Sequence, residues 1–249
     1  KMNRKPIKLN RSDIYEDIPD TKQNFNYQIG LLTKLLKHVP VQQVYVGECE
    51  ADDIIGYICR YVQPTQKKII ISMDQDLHQL LSKNVLQYSP ASKKMLNQDY
   101  VLERYGVSTE NFITARCFIG DTSDGISGIK GCGFKSLVKR FPELKSEEFV
   151  SVNDIISLCK TRNEQKSYSI FRNILAQPNI PVRNWKLMYL DNSNLSAQHV
   201  KNLKYSVQNY ELNKNKFNLI KDLVLEGLDM PRSLDVDRLY LRINSCIIK

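Results

Sequence analysis

The chain has 249 residues, of which 42% are hydrophobic and 25% charged, and carries a formal net charge of +9. That length suits one large domain or two small ones with a real core. No apolar run approaches the roughly 20 residues of a membrane span, and the start, Lys1-Met2-Asn3-Arg4-Lys5, has no apolar stretch of a signal peptide. A membrane partner is therefore not expected, and the expected compartment is the cytoplasm. The six cysteines are scattered, with no C-x-x-C pair, which points to reduced thiols rather than a disulfide framework or a zinc site.

The charge is unevenly placed. Residues 1–12 hold five bases and no acid. Residues 41–124 hold eleven acids against eight bases, and residues 125–249 hold twenty bases against twelve acids. Basic flanks suit a polyanion, and an acidic centre suits cations.

In chain order, residues 1–20 are polar and contain Pro6 and Pro19, and read as a loop or arm. Phe25, Ile29, Leu32, Leu35 and Leu36 recur at helical spacing, predicting a helix over 22–38 that Pro40 stops. Val41–Val46 reads as a short strand, 50–62 as a helix, and Lys68–Ser72 as a strand buried on both faces. A short helix over 76–82 and a strand over 85–88 complete an alternation that implies an α/β layer with a parallel sheet. From about residue 97 the patterns become helical, over 98–105, 110–119, 134–141 and 152–159. Trp185 and Tyr189 read as packing rather than as a base-stacking pair.

Three carboxylate groups stand out. Glu50, Asp52 and Asp53 open a predicted helix, where an acidic N-terminal turn is also a simple capping feature. Asp74 and Asp76 follow a predicted strand, where α/β sheets place their sites. Asp121 and Asp124 lie in Gly120-Asp121-Thr122-Ser123-Asp124-Gly125, which alone would read as a turn. Seven carboxylates in three tight groups are costly to assemble unless cations neutralise them. Ligands that are all oxygen select hard ions, Mg²⁺ or Mn²⁺, and two such ions about 4 Å apart suit phosphodiester displacement.

The next segment concentrates glycine: Gly128-Ile129-Lys130-Gly131-Cys132-Gly133-Phe134-Lys135-Ser136-Leu137, followed by Lys139 and Arg140. A glycine-rich turn that opens a helix presents N–H groups to phosphate. The order is not the G-x-G-x-x-G of a dinucleotide loop, and Phe134 stands where a Walker loop needs Lys. A nucleic-acid backbone clamp and a plain interhelical turn both remain open on these residues alone.

Taken together, Glu50-Ala51-Asp52-Asp53-Ile54-Ile55, Ser72-Met73-Asp74-Gln75-Asp76-Leu77 and the run from Gly120 to Gly133 resemble the 5′ nuclease family. That family includes phage flap endonucleases, phage RNase H-type 5′ exonucleases and the 5′ nuclease domain of bacterial DNA polymerase I. The similarity covers roughly residues 1–145. It implies an α/β fold with a PIN-like parallel sheet flanked by helices over 1–108. A mainly helical region over 109–249 would follow, with a helix–three-turn–helix element at about 115–141. Residues 1–20 would belong to an arch that admits single-stranded DNA.

The resemblance further implies a metal-dependent cut in DNA, or in RNA on DNA, near a 5′ flap or a single-strand/duplex junction. Glu50, Asp52, Asp53, Asp74, Asp76, Asp121 and Asp124 would be catalytic and hold Mg²⁺ or Mn²⁺, two ions in all. Arg4, Lys5, Lys8, Lys130, Gly131, Gly133, Lys135, Ser136 and Lys139 would bind DNA, with a K⁺ in the 128–137 loop. The family's opening strand and its metal-binding Asp do not match anything in the chain. The resemblance thus implies that the sequence begins inside a longer protein, its remaining N-terminal portion not included here, removed or supplied as a separate polypeptide, and that it comes from a bacterium or a phage-infected host. Two rival readings are a non-cleaving module that grips branched DNA and an RNase of the broader PIN-like class.

Overall fold

A computed structural model describes residues 21–192, 195–211, 213, 215–227 and 235–246. The chain divides into two compact units, Val46–Lys204 and Lys1–Tyr45 with Tyr205–Lys249. None of the described helices is long and apolar enough to cross a membrane.

The Val46–Lys204 unit contains a small sheet with order β1-β2-β3: β1 (Lys68–Ile71), β2 (Val85–Ser89) and β3 (Lys94–Leu96). β1 and β2 run parallel, with Lys68 opposite Val85 and Ile71 opposite Tyr88. β3 returns antiparallel to β2 through a tight turn in which Lys93 has φ 54°. The sheet is therefore mixed, not wholly parallel as the alternation predicted. β3 escapes sequence reading because three residues cannot establish a period.

β1 also departs from expectation. Ile70 is buried with Cys59, Leu77, Leu80, Val85 and Leu190, whereas Ile69 and Ile71 on the opposite face are exposed, at 57% and 72%. Alternation of side chains across a strand gives this result when one face alone is covered. Val41–Val46, predicted as a strand, is irregular among the described residues, and of it only Val46 is buried. The helix predicted over 76–82 is a 3₁₀ helix, Asp76–Leu80.

The helices are α1 (Lys22–Leu36), α2 (Ala51–Tyr61), α3 (Gln98–Tyr105), α4 (Thr109–Ile119), α5 (Phe134–Arg140), α6 (Val152–Gln165), α7 (Ser169–Ala176), α8 (Asn179–Met188), α9 (Ala197–Gln208), α10 (Lys216–Leu225) and α11 (Val236–Cys246). Their ends follow local chemistry. The Asn97 side chain caps α3, Gly106 stops it at φ 75°, and Ser108 caps α4. Ser151 and Asp154 form a capping box on α6.

α4 is the axis of the unit. Nine of its residues, Thr109 and Asn111–Phe118, are buried, so that all sides of the helix lie within the core. Its few polar groups have partners. Asn111 Nδ2 donates to Ser146 O and Glu148 O at 2.9 and 2.8 Å, and Thr114 Oγ1 to Val150 O at 2.8 Å. Around α4 a single core runs from Leu81 to Met188, including Val101, Phe112, Leu137, Phe141, Ile155 and Ile174. Trp185 stacks on Tyr189 at 4.3 Å between ring centres, and both pack against this core.

The other unit is smaller. Leu219, Val236 and Tyr240 pack with Leu35, Val39, Ile220 and Leu223. His38 Nε2 lies 2.9 Å from Asp222 Oδ2, and Lys34 lies 3.3 Å from the same carboxylate. The predicted helix forms as α1, but Phe25, Ile29 and Leu32 of its apolar stripe are exposed. The five described cysteines are free, with Cys59, Cys117 and Cys159 buried.

A candidate metal centre beside a glycine-rich loop

The carboxylates gather where β1, the 3₁₀ helix, α2 and the end of α4 meet. Asp76, Asp121 and Asp124 can each offer an oxygen such that all lie within 4.8 Å of one another. They come from two segments far apart in sequence.

Asp76 is placed by the turn after β1. Asp74 N donates to Ser72 Oγ at 3.0 Å, and Asp76 N to Asp74 Oδ1 at 2.9 Å. The turn is held from below by Gln87, a fully buried residue of β2. Its Nε2 donates to Ser72 O at 3.0 Å and to Asp74 O at 2.8 Å. Gln87 Oε1 lies 2.9 Å from His78 Nδ1, and burial pushes the His78 pKa down.

Asp121 is placed by a crossing of backbones. Gly120 has φ 81°, and a Cβ there would lie 2.4 Å from Gly128 N. A Cβ on Gly128 would lie 1.8 Å from Ile119 O. Only glycine fits such an approach. Asp121 N donates to Ile126 O at 2.8 Å and Ile126 N to Asp121 O at 2.7 Å, closing the loop that carries Asp124. Asp121 Oδ1 accepts from Ser123 N at 2.9 Å and from the Ser123 hydroxyl.

Between these two carboxylates lies Arg116 of α4, which is 9% exposed. Its Nε and Nη2 donate to Asp76 Oδ1 at 3.1 and 2.9 Å, its Nη2 also to Asp121 Oδ2, and its Nη1 to Gly120 O at 3.1 Å. Sequence reading passed over Arg116. Its signal was the one base of a largely buried helix, five residues before Asp121.

The remaining acids lie around this group. Glu50 N donates to Asp53 Oδ2 at 3.3 Å at the start of α2. Burial pushes the Asp52 carboxyl up to about 6, aided by the negative charges of Asp74, Asp76, Glu50 and Asp53. Burial raises Asp76 too, against the pull of Arg116. Burial also works upward on Asp121, but the Ser123 hydrogen bonds and Arg116 outweigh it and leave its pKa lowered. Of the seven sequence candidates, then, Asp76, Asp121 and Asp124 lie together and Asp52 is within electrostatic reach of Asp74 and Asp76. Glu50 and Asp53 share the first turn of α2.

The glycine-rich stretch joins α4 to α5. Gly133 N donates to Ser136 Oγ at 2.9 Å, and that hydroxyl lies 2.7 Å from Gly131 O. Ser136 is thus engaged inside the loop. Lys130, Gly131, Lys135 and Lys139 are exposed, and Gly133 is partly buried. The loop is steadied from α7 and α8. Asn173 Nδ2 donates to Lys130 O at 2.8 Å, and fully buried Asn184 donates to Cys117 O and Ser127 O, both at 2.9 Å. Neither asparagine is visible as a site residue in sequence, since their partners are distant backbone carbonyls. Arg4, Lys5 and Lys8 lie outside the described residues.

A small sheet flanked by helices, with acidic groups beyond the carboxyl end of β1 and a glycine-rich loop between two helices, defines an α/β protein with a candidate metal site. Sequence comparisons point further, to similarity with the 5′ nuclease family. Residues 1–106 match the family described as 5′-3′ exonuclease, N-terminal resolvase-like domain. The chain is 29% identical over 153 residues to a 5′-3′ exonuclease of Aquifex aeolicus, covering 59% of this chain and 53% of that protein. It is 25% identical over 205 residues to a 5′-3′ exonuclease of Buchnera aphidicola, covering 81% of this chain and 61% of that one. The chain thus spans about half to three-fifths of these relatives. Among solved structures, a bacteriophage T5 5′-exonuclease with bound zinc superposes with TM-score 0.55 at 22% identity, over 88% of this chain and 76% of that one. A T5 flap endonuclease in complex with DNA and metal ions gives 0.53 at 20%, over 95% and 76%. These likenesses concern the fold.

Proposed function

We propose that this chain is the metal-binding and DNA-gripping part of a divalent-metal-dependent, structure-specific 5′ nuclease that hydrolyses DNA at a 5′ flap or single-strand/duplex junction. RNA on DNA would be a second substrate. The observation that carries the reading is the convergence of Asp76, Asp121 and Asp124 within 4.8 Å, from segments some 45 residues apart in sequence. Three carboxylates at that distance, Asp76 and Asp121 both partly buried, repel strongly, and the single guanidinium of Arg116 offsets only part of that charge.

The donor set fits Mg²⁺ or Mn²⁺, being oxygen without Cys or His. Asp76, Asp121 and Asp124 would hold one ion, and Glu50, Asp52, Asp53 and Asp74 would complete a second position. Bound there, the ions would lower the pKa of water and offset charge on the phosphate. The chain's own residues fix the frame. Gln87 sets the Asp74 turn, the Gly120–Gly128 crossing sets Asp121, and Ser123 orients its carboxylate.

α4, the 120–133 loop and α5 would act as a helix–three-turn–helix element. Its exposed Lys130, Lys135 and Lys139 would lie along one duplex backbone, with Gly131 and Gly133 allowing close approach and a K⁺ held by loop carbonyls. Arg4, Lys5 and Lys8 would belong to the arch. Functionally, residues 1–108 would supply most of the catalytic part and 109–249 the duplex grip.

The test is cleavage of a 5′-labelled flap duplex with Mg²⁺ and with EDTA. Cutting near the junction that needs Mg²⁺, and that falls about a thousandfold in Asp121→Asn with flap binding retained, is expected. Binding that never leads to cutting, in the wild type as in the variant, would instead mark a DNA-gripping module. A preference for RNA flaps would favour an RNase.

A further inference from the structure

Arg116 is buried in the last turn of α4, beside core residues Phe112, Ile113, Cys117 and Phe118. A guanidinium stays charged at any ordinary pH and is costly to bury unless paired. Its side-chain hydrogen bonds run to the acidic site. Nε and Nη2 reach Asp76 Oδ1 at 3.1 and 2.9 Å, Nη2 also reaches Asp121 Oδ2, and Nη1 reaches Gly120 O at 3.1 Å, directly before Asp121. One planar fork therefore ties the turn after β1 to the loop after α4, across 40 residues of sequence.

Both bonds to Asp76 fall on the same oxygen, Oδ1, and the bond to Asp121 falls on Oδ2, while Oδ1 accepts from Ser123. A carboxylate offers about four acceptor positions, so neither acid is used up by the guanidinium. A cation placed among Asp76, Asp121 and Asp124 would share two of its three carboxylates with a fixed positive charge. Arginine rather than lysine suits this position, because its fork can bridge two carboxylates at once.

We propose that Arg116 is a built-in counter-cation. It holds Asp76 and Asp121 together when no metal is present, and it keeps metal binding weak enough for exchange. It is a positioning residue, acting through the two aspartates. The inference rests on the metal-site reading above and deepens it. Removing the charge leaves the acids mutually repelling in the metal-free chain and removes the repulsion felt by an entering dication.

The experiment is Mn²⁺ titration of the full chain, followed by the paramagnetic resonance signal of free aqueous Mn²⁺, with thermal melting in EDTA alongside. It needs no catalysis. Wild type, Arg116→Met and Arg116→Lys are compared, with Arg116→Gln in place of the Met variant should that one fail to fold. The neutral variant is expected to melt lower in EDTA and to bind Mn²⁺ roughly tenfold more tightly. The Lys variant, which keeps the charge but not the fork, is expected to melt lower while its Mn²⁺ affinity stays within about twofold of wild type. Unchanged or weaker Mn²⁺ binding by the neutral variant would overturn the inference and leave the metal site standing. So would a Lys variant that binds as tightly as the neutral one. Absence of Mn²⁺ binding in the wild type would remove the metal-site reading, and the inference with it.

Discussion

Asp76 and Asp121 share a guanidinium, whereas Asp52, in the first turn of α2, has Asp74, Asp76, Glu50 and Asp53 for charged neighbours. The consequence is visible in their proton affinities. Asp121 is held below the ordinary carboxylate range once Ser123 and Arg116 outweigh its burial, Asp76 is raised by burial against the pull of the same guanidinium, and burial first, with the neighbouring acids second, pushes Asp52 up to about 6. One side of the site is braced from within by a buried cation, a glycine crossing and hydrogen bonds. The other rests on the capped first turn of α2 and on the Asp74 turn held by Gln87, and its acids face one another without a bridging guanidinium of their own. A site built this way has its geometry set before any ion arrives, and still leaves charge for an ion to neutralise.

The comparison breaks most severely at the braced side. Gly128→Ala would put a Cβ 1.8 Å from Ile119 O and 2.2 Å from Ile119 C, atoms of backbone that cannot rotate away. The crossing would have to open, and Asp121 with it. A loss of stability of about 4 kcal/mol is expected, since backbone displacement in a packed core lies at the severe end of point-mutant effects. Urea unfolding measures it. A variant within 1 kcal/mol of wild type would show that the crossing yields easily and does not brace Asp121.

Gln87→Met tests the smaller brace on the opposite side. The substitution keeps the volume and removes donors from Ser72 O and Asp74 O and the partner of His78 Nδ1. Buried polar groups left without partners cost about 1–3 kcal/mol, so a loss of about 2 kcal/mol is expected in the same unfolding assay. Cleavage should fall further than stability explains, because the Asp74 turn is loosened while Asp121 stays in place. Equal cleavage per folded molecule would show that Asp74 needs no fixed turn.

The parts of this arrangement differ in how far sequence reveals them. All seven carboxylates stand out in sequence because each group is local: Glu50 to Asp53 at a helix start, Asp74 and Asp76 after a strand, Asp121 and Asp124 between glycines. The helices α3 to α6 and the strands β1 and β2 follow from periodicity over similarly short windows. What brings the groups together is not local. Arg116 reaches Asp76 across 40 residues, Gln87 reaches Asp74 across 13, and Asn184 reaches Cys117 across 67. An isolated Gln in a strand or Arg in a helix has no pattern to mark it. β1 shows the converse error: three isoleucines in a row suggest burial on both faces, but only the Ile70 face is covered.

The smallest expected effect concerns the α2 side, and its sign follows from Asp52 alone. The folded chain raises this carboxyl from 3.8 to about 6. Between about pH 4 and pH 6 the folded chain therefore keeps a proton that the unfolded chain has released. The contribution to stability is fully present below the unfolded value and is lost as pH rises through about 6. Asp52 is only partly buried, and solvent screening reduces the contribution to about 1 kcal/mol. Asp76, raised in the same direction, and Asp121, lowered, also titrate, so the quantity to measure is the difference between wild type and Asp52→Asn. Urea unfolding in EDTA across pH 4 to 7 should show the wild type losing about 1 kcal/mol more than the variant over that interval. With Mg²⁺ present the difference should vanish or reverse, because a cation favours the ionised form. Identical profiles in EDTA would mean that the repulsion around Asp52 is relieved without a metal, and the contrast between the two sides of the site would not hold.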